Sequence, residues 1–431
     1  MSLSKTAAVV VGAYAALLLW ALPRTPLWLD EIQQFGNTRN GSLGELMRWA
    51  QLNAGASPLP YLVQRPCVDL LGYSAFAARF PAALFSILSG AIFVVVSSRF
   101  LKESRWFALA MFLVLPIQFR YGMEARPYSQ GLLFSLGTLW LFLKLEERYS
   151  AGLAILYGLS VAAGLYSQPL TIFPALAQAA YALPKRRAPL LAVVAAVLSY
   201  LPWYIPQRLA QTSYAAIHPP TAFFSWRQIH PLVLLHDMTG GGYACAIPLL
   251  ALAAWTIYKT TEPGAQRVLY YTLLATLAGP ILMDAVFNYF FAERQWLFAM
   301  PALLLLAAQG LTRQITGVAL AGVFLVAAIV KDFHQAITPR DDLAATADAI
   351  AAHLPAGACV QAEPPGQIDF YLFFRPGLQS RVCEEDSATP EVMLVASSYT
   401  LPSERRVPSG MAAVQSIKVG RSELILYRPS P

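Results

Sequence analysis

Two adjacent carboxylates, Asp30 and Glu31, are the residues of this sequence whose type and position most directly suggest chemistry. They follow Trp28, soon after a first membrane-length apolar segment, in a chain in which only 13% of the residues are charged. Adjacent carboxylates at a membrane surface can abstract a proton, hold a cation, or simply begin a solvated helix. The pair alone leaves these three interpretations open, so the elements around it must decide between them.

The composition indicates a membrane protein. The chain has 431 residues, of which 57% are hydrophobic, and its mean hydropathy is +0.50. Apolar runs of about 17 to 22 residues recur along it, which is typical of a polytopic helical membrane protein. The formal net charge is +7, but the Lys and Arg residues are scattered through short loops. Because they form no basic block, we expect no nucleic-acid partner.

The apolar runs and the breaks between them predict about eleven membrane-spanning helices. The first follows Lys5 and resembles a signal peptide, but it lacks a convincing cleavage site, so we interpret it as a retained helix. The predicted spans lie near residues 6–22, 80–101, 105–120, 127–145, 151–167, 169–183, 188–206, 243–259, 268–290, 294–311 and 314–331.

Charge in the loops predicts the orientation of these helices. With the N-terminus inside, every cytoplasmic loop is basic, as the positive-inside rule requires. The first outer segment is then 23–79, and it carries a capping-box pattern at Ser42-Leu43-Gly44-Glu45. Leu43, Leu46, Met47 and Ala50 recur at helical spacing, which predicts a short amphipathic helix on the membrane surface.

The last hundred residues have a different character. We predict a membrane domain over 1–331 and a small outer α/β domain over 332–431, to which the sequence assigns no chemistry. A helix is expected from Asp341 to Leu354, and Cys359 and Cys383 could pair if this domain lies outside the cytoplasm. Three β-prone runs follow the helix, at 358–362, 391–396 and 423–427.

Five polar breaks between the predicted helices fall on the outer face: the Asp30 segment, 56–61, 120–128, 166–169 and 292–296. Charges at this depth generally need a partner or a water-filled cavity, although snorkelling arginines, interfacial tyrosines and helix caps are alternatives. The candidate substrate-binding residues are Arg126, Glu124, Arg294, Arg65, Arg79, Tyr128, Tyr61 and Gln168.

The order of these features resembles the integral-membrane glycosyltransferases of the GT-C type, most of all the branch of the protein O-mannosyltransferases and the bacterial lipid A aminoarabinose transferase. The resemblance covers about residues 1–330. One departure is that many relatives carry His-Pro-Pro where this chain has Ala56-Ser57-Pro58, which puts the identity of donor or acceptor in question. The matching motifs are the outward Asp-Glu, Pro58-Leu59-Pro60-Tyr61, Arg79-Phe80-Pro81-Ala82, Glu124-Ala125-Arg126-Pro127-Tyr128, Pro202-Trp203 and Arg294.

The resemblance implies a polyprenyl-phosphate sugar donor and a lipid, glycan or protein acceptor, with transfer at the outer face of the membrane. The short loops and the absence of eukaryotic sorting or retention signals favour a bacterial inner membrane, whose outer face is periplasmic. Asp30 would be the base in an inverting transfer, with Glu31 supporting it or orienting the acceptor. Arginine suits phosphate oxygens, so Arg126, with Arg294 or Arg65, would stabilise the leaving phosphate.

We expect neither a cofactor nor an essential metal. His218, His230 and His236 lie with Asp237 in the outer loop at 207–242, but their spacings match no helical ligand pair. The lipid-monophosphate branch that the chain resembles is not expected to need a cation either.

Two other functions fit parts of the sequence. A flippase or transporter for a lipid-linked sugar would carry its charges in mid-membrane, whereas here they cluster at one face. A polysaccharide polymerase or ligase would also need outward arginines, but the early Asp-Glu pair supports it less well. The glycosyltransferase is therefore the function that the sequence favours.

Overall fold

The computed structural model of the chain describes residues 5–39, 41–52, 56–102, 104–217, 229–260, 264–287, 291–311, 315–363, 365–383, 391–396 and 410–430. His218 therefore lies outside the described residues. The chain forms two compact units. The first consists of Met1–Pro23 and Gln34–Ile337, and the second of Arg24–Gln33 and Thr338–Pro431. The predicted division into a membrane domain over 1–331 and an outer domain over 332–431 stays a prediction.

The fold is mainly α, as predicted. Sixteen helices precede the C-terminal tail in the described residues, and short 3₁₀ helices lie at Pro169–Thr171, Gly264–Gln266 and Glu293–Ala299. The helices are α1 (Lys5–Ala21), α2 (Leu29–Arg39), α3 (Leu43–Leu52), α4 (Pro58–Leu71), α5 (Ala75–Ser97), α6 (Arg105–Leu113), α7 (Pro116–Met123), α8 (Tyr128–Glu147), α9 (Ala151–Ser167), α10 (Ile172–Ala182), α11 (Ala188–Ile217), α12 (Pro231–Asp237), α13 (Tyr243–Lys259), α14 (Arg267–Phe287), α15 (Met300–Gln309) and α16 (Ile315–Ile337).

A helix occurs at each of the predicted spans, but few are long. In the described part of the chain, four are long and apolar enough to cross a membrane: Ala75–Ser97, Ala188–Ala210, Arg267–Val286 and Thr316–Ile337. The pair α6 and α7 makes a fifth if it is one span bent by 52°. This bend falls at Pro116, because proline cannot donate the backbone hydrogen bond that would continue α6. The number of crossings predicted, about eleven, stays a prediction.

The predicted amphipathic helix is confirmed as α3. Its capping box is formed: the Ser42 backbone N donates to Glu45 Oε2 at 2.7 Å, and the Glu45 N donates to Ser42 Oγ at 3.3 Å. Leu46 and Ala50 are buried, whereas Leu43 is 59% exposed. Leu43 is the first residue of the helix, where few neighbours can cover it.

Buried polar side chains tie three helices of the first unit together. The Tyr14 hydroxyl on α1 is 2.6 Å from Ser86 Oγ on α5, and Gln118 Nε2 on α7 donates to the same oxygen at 2.9 Å. Gly122 permits this close approach, since a Cβ there would lie 2.8 Å from Ser86 Oγ. Such hydrogen bonds between helices contribute about 0.6 to 2 kcal/mol in a membrane.

The second unit contains a four-stranded sheet of order β1-β2-β4-β3, with β1 parallel to β2 and the other pairs antiparallel. Helix α17 (Leu343–His353) confirms the predicted helix, and Asp342 Oδ1 caps it by accepting from the Ala345 N at 3.0 Å. Cys359 and Cys383 are joined by a disulfide. The other elements are α18 (Ile368–Phe374), 3₁₀ helices at Pro365–Gln367 and Pro376–Arg381, and strands β1 (Cys359–Glu363), β2 (Val392–Ala396), β3 (Met411–Val419) and β4 (Ser422–Pro429).

Candidate functional site

A cavity in the first unit brings together three of the sequence motifs. Its empty volume, including space open to solvent, is about 240 Å³. It lies between α2, α4, α5 and the turn that leads into α8. Pro60 comes from the Pro-rich motif, Pro81 from the Arg-Phe-Pro-Ala motif, and Arg126 from the turn. Three glutamine side chains, Gln34, Gln64 and Gln130, complete its polar lining.

Arg126 is the cation of this cavity. It lies in the short turn between α7 and α8, where its backbone N donates to the Glu124 carbonyl at 2.7 Å and Pro127 precedes the first helical residue. Arg126 is half-buried, and Glu124 is only 6% exposed. A guanidinium held in a partly enclosed, polar pocket is suited to an anionic group such as phosphate.

The glutamine lining is ordered by hydrogen bonds. Gln64, 2% exposed, donates from Nε2 to the Ala78 carbonyl at 2.9 Å. Its Oε1 accepts from Thr38 Oγ1 at 2.8 Å and from Gln34 Nε2 at 3.4 Å. Because Gln64 links α2, α4 and α5, its amide orientation is fixed. Paired amides of this kind can hydrogen-bond the hydroxyls of a sugar.

These three glutamines were not predicted from the sequence. Gln64 stands in the otherwise apolar turn after Tyr61, and Gln34 follows Asp30 by four residues on α2. A polar residue at a position that helical spacing assigns to the buried face was the available signal. It was not used because the prediction gave weight to charged residues, tyrosines and the helix break at Gln168.

Gln168 belongs to the same end of the bundle. It is the C-cap residue of α9, and a Cβ placed on Gly131 would lie 3.0 Å from Gln168 Cβ and 3.2 Å from the Phe298 ring. Gly131 directly follows Gln130 of the cavity lining. Three of the five predicted polar breaks, 56–61, 120–128 and 166–169, thus supply residues to this region of the first unit.

The two candidate tyrosines are buried in the core. Tyr61 on α4 is 2% exposed, and Tyr128, the first residue of α8, is 3% exposed. The ring of Tyr128 packs on that of Tyr121, with centroids 4.5 Å apart. Neither tyrosine is an exposed interfacial anchor, and neither contributes to the lining of the cavity.

The other three candidate arginines have different surroundings. Arg79 is 3% exposed, and its Nη1 donates to the Leu22 carbonyl at 2.7 Å, which fixes the end of α1 against α5. Arg65 Nε lies 3.2 Å from Asp69 Oδ2 on the surface of α4. Arg294 is half-buried in the 3₁₀ helix Glu293–Ala299. Of the four described arginines that were predicted to bind substrate, Arg126 is the one that lines this cavity.

Asp30 and Glu31 lie in the second unit, in the first turn of α2. Glu31 is fully buried, and its Oε2 accepts from the Trp28 backbone N at 3.2 Å. A carboxylate three residues into a helix that binds the N–H of the capping residue completes half of a capping box. Glu31 therefore caps α2. Asp30, its neighbour, is half-buried.

The described histidines of the predicted outer loop have local partners. His230 Nδ1 accepts from the Leu232 N at 3.2 Å and caps α12, and His236 Nδ1 is 2.6 Å from Asp237 Oδ1. In the part of the chain that the structure describes, no three His, Cys, Asp or Glu side chains gather as metal ligands would.

The sequence and the fold are both similar to membrane glycosyltransferases. Residues 56–205 match the dolichyl-phosphate-mannose-protein mannosyltransferase family, and this range contains the Pro-rich, Arg-Phe-Pro-Ala and Glu-Ala-Arg-Pro-Tyr motifs. No curated protein sequence matches the chain. The predicted resemblance to the GT-C glycosyltransferases is confirmed, and so is the enzyme class, glycosyltransferase.

Among solved structures, the fold is that of ArnT from Cupriavidus metallidurans. The apo structure of ArnT is 14% identical in sequence, with a TM-score of 0.61, and the match covers 97% of both chains. The structure of ArnT bound to undecaprenyl phosphate matches with a TM-score of 0.58, at 14% identity and 97% coverage of both chains. At 14% sequence identity, this similarity shows that the two proteins share a fold.

Proposed function

We propose that the chain transfers a monosaccharide from a polyprenyl-phosphate donor to a lipid, glycan or protein acceptor at the periplasmic face of a bacterial inner membrane. The observation that carries this proposal is the cavity that joins the Arg126 guanidinium to the Gln34, Gln64 and Gln130 amides. It combines a cation for phosphate with neutral groups for sugar hydroxyls. Most of its lining falls within the range that matches the mannosyltransferase family.

The proposed reaction is a single displacement that inverts the anomeric centre. A bond forms between the acceptor oxygen or nitrogen and the anomeric carbon, while the bond from that carbon to the phosphate oxygen breaks. Asp30 takes the acceptor proton, and the electron pair of the broken bond stays on polyprenyl monophosphate. Arg126 stabilises that charge as it develops, with Arg294 and Arg65 as further candidates.

The polyprenyl part of the donor is supported by the fold. ArnT, which has this fold, has been solved with undecaprenyl phosphate bound. A long apolar chain can lie between membrane helices, and its phosphate then needs a cation at the boundary. We propose that Arg126 is that cation, with Glu124, Arg79, Tyr61, Tyr128 and Gln168 supporting the pocket.

The position that carries His-Pro-Pro in many relatives has a structural role here. Ser57 Oγ donates to the Leu165 carbonyl at 3.0 Å and lies 3.0 Å from the Tyr200 hydroxyl, so Ser57 joins α4 to α9 and α11. The histidine of that motif falls at Ala56, whose methyl side chain cannot make the polar contact of a histidine. We propose that, because of this difference, the chain uses another donor sugar or another acceptor than the His-Pro-Pro relatives do.

The disulfide supports the periplasmic assignment. Cys359 and Cys383 are joined, and disulfides persist in oxidising compartments such as the bacterial periplasm. The predicted topology places the C-terminal tail and the Asp30 segment on the same side of the membrane.

The test is mass spectrometry of the lipids that co-purify with the protein, together with envelope glycans from cells that carry wild type or Asp30→Asn. We expect a bound polyprenyl monophosphate or its sugar ester, and one glycan modification that is lost in the mutant. Asp237→Asn, on the exposed helix α12, is the matched control and should keep the modification. An unchanged glycan profile in Asp30→Asn would refute the proposed base, and an absence of prenyl lipid would favour transport of another substrate.

A further inference from the structure

A second cavity of the first unit lies where α13 ends, α14 begins and α15 ends. Its empty volume is about 720 Å³, including space open to solvent. Lys259, Thr260, Gln266 and Gln309 line it with polar groups, and Trp255 provides an apolar wall. None of these residues contributes to the cavity at Arg126, so the two cavities are separate.

The groups that face this cavity are suited to an anion. Lys259 supplies a positive charge, and Gln266 directly precedes α14, whose N-terminal end carries a partial positive charge. Gln309 adds an amide that the protein leaves unused: among the described residues, neither its Nε2 nor its Oε1 has a hydrogen-bond partner, although both atoms are shielded from solvent. An amide in that state costs free energy unless a ligand or water binds it.

The aromatic side chains beside the cavity are of the kind found at membrane interfaces. The Lys259 ammonium lies 4.9 Å from the Trp255 ring centroid and 6.0 Å from that of Tyr258. Trp255 is 41% exposed and Tyr258 is 78% exposed. Exposed Trp and Tyr rings at the end of an apolar helix are typical of the level at which lipid headgroups lie.

The floor of the cavity is closely packed. Gly310 ends α15 against α13, and a Cβ there would lie 2.3 Å from the Leu252 carbonyl and 2.7 Å from Thr256 Oγ1. Thr256 Oγ1 donates to the Leu306 carbonyl at 2.8 Å, which joins the two helices. The cavity is therefore built on a fixed helix contact, so its shape does not depend on the surface side chains alone.

We propose that this cavity binds the phosphate-bearing headgroup of an anionic membrane lipid. Lys259 and the start of α14 contact the phosphate, Gln309 and Thr260 hydrogen-bond the headgroup, and the acyl chains lie along the apolar surfaces of α13 and α14. Basic pockets between helices bind anionic headgroups in this way. The proposal concerns a structural lipid and does not depend on the proposed sugar transfer.

The test is native mass spectrometry of the full-length protein with phosphatidylglycerol or phosphatidylcholine. We expect the wild type to retain phosphatidylglycerol preferentially. Lys259→Ala should weaken that retention about fivefold, since one basic residue near a lipid surface contributes about 1 kcal/mol. Gln309→Leu, which keeps the side-chain volume, should weaken it as well, because the headgroup loses an amide partner.

Lys185→Ala is the matched control, since Lys185 also lies over an aromatic ring, that of Tyr181 at 5.4 Å, but does not line the cavity. Equal retention of both lipids by the wild type would overturn the proposal, as would an equal effect of Lys185→Ala. A third arm adds inorganic phosphate: if it displaces the lipid at millimolar concentration, the site binds free phosphate instead.

Discussion

The Arg340 guanidinium lies over the Trp28 ring, with its central carbon 3.7 Å from the ring centroid. Trp28 directly precedes α2, and its backbone N is the group that Glu31 caps. Arg340 begins the part of the chain that leads into α17. Within the second unit, the tail thus packs on the residue that orients the first turn of α2, where Asp30 lies.

From this contact we predict that Arg340 positions Asp30. Arg340→Ala should lower sugar transfer several-fold and should increase hydrogen exchange at residues 24–33, because a cation–π contact contributes about 0.5 to 2 kcal/mol. Arg340→Lys should restore only part of the activity, since an ammonium cannot stack as a planar guanidinium does. Transfer and hydrogen exchange are measured on the same preparations.

Arg375→Ala is the control within the same unit. Arg375 pairs with Asp348, and both side chains are more than half exposed, so the loss should change little. If Arg340→Ala and Arg375→Ala had the same effect on exchange at 24–33, Arg340 would have no specific positioning role.

We predict that Arg126 binds the donor phosphate. Arg126→Ala should weaken binding of undecaprenyl phosphate about tenfold to a hundredfold, because hydrogen bonds to a charged group contribute about 1.5 to 3 kcal/mol. Arg126→Lys should keep part of the binding, because it preserves the charge but not the fork of donors. Binding is measured by native mass spectrometry or fluorescence competition.

Arg65→Ala is the comparison for Arg126→Ala. Arg65 already pairs with Asp69 on the surface of α4, so we expect a smaller loss than with Arg126→Ala. Lys102→Ala, an exposed lysine after α5, controls for a general loss of positive charge. Equal losses at all three positions would show that attraction to phosphate is non-specific.

We predict that Asp30 has a chemical role and that Glu31 has a structural one. Asp30→Asn should lower transfer about 10² to 10⁴-fold, the range for loss of a general base, while undecaprenyl phosphate still binds. Glu31→Gln should instead lower stability by about 0.5 to 2 kcal/mol, because the cap of α2 is weakened. Transfer rates and thermal unfolding are measured for both variants. If Glu31→Gln lost transfer and Asp30→Asn lost only stability, the base would be Glu31.

The disulfide should stabilise the tail. Removing both sulfurs with Cys359→Ser and Cys383→Ser should lower its stability by about 2 to 4 kcal/mol, as expected for a bridge across 24 residues. Non-reducing electrophoresis of the purified protein, with alkylation of free thiols, gives the direct measurement. Cys67 and Cys245 are free and should be the thiols that react in unfolded wild type. Four reactive thiols without reductant would disprove the bridge in the cell.

The periodic parts of the fold could be predicted from the sequence. Apolar runs located helices at all the predicted spans, and the capping box located α3. Strand β3 was missed because it is mostly exposed, so it shows no alternation of apolar and polar residues. Helix lengths were predicted less well: α10 and α15 have 11 and 10 residues, since prolines and 3₁₀ turns interrupt their apolar runs.

The candidate site could be predicted only where the signal was local. Arg126 was found because a charge stands at a helix break in an apolar chain. The contact of Arg340 with Trp28 joins residues far apart in the sequence, and no local sequence pattern predicts such a contact. For Glu31 the local sequence was ambiguous, because a carboxylate at that position suits both a chemical role and a place at the start of a helix. The hydrogen bond from the Trp28 backbone N identified it as the cap.

Gln64 should set the shape of the cavity. Gln64→Leu removes the hydrogen bonds to Thr38, Gln34 and the Ala78 carbonyl, so these buried polar groups lose a partner. We expect a loss of stability of about 1 to 3 kcal/mol, together with weaker binding of the sugar-bearing donor. Gln64→Glu keeps the acceptor for Thr38, but when ionised it cannot donate to the Ala78 carbonyl and it adds a negative charge to the cavity that Arg126 lines, so it tests these two changes together. If Gln64→Leu lowers stability but leaves the ratio of donor to undecaprenyl phosphate affinity unchanged, Gln64 supports the fold and does not recognise the sugar.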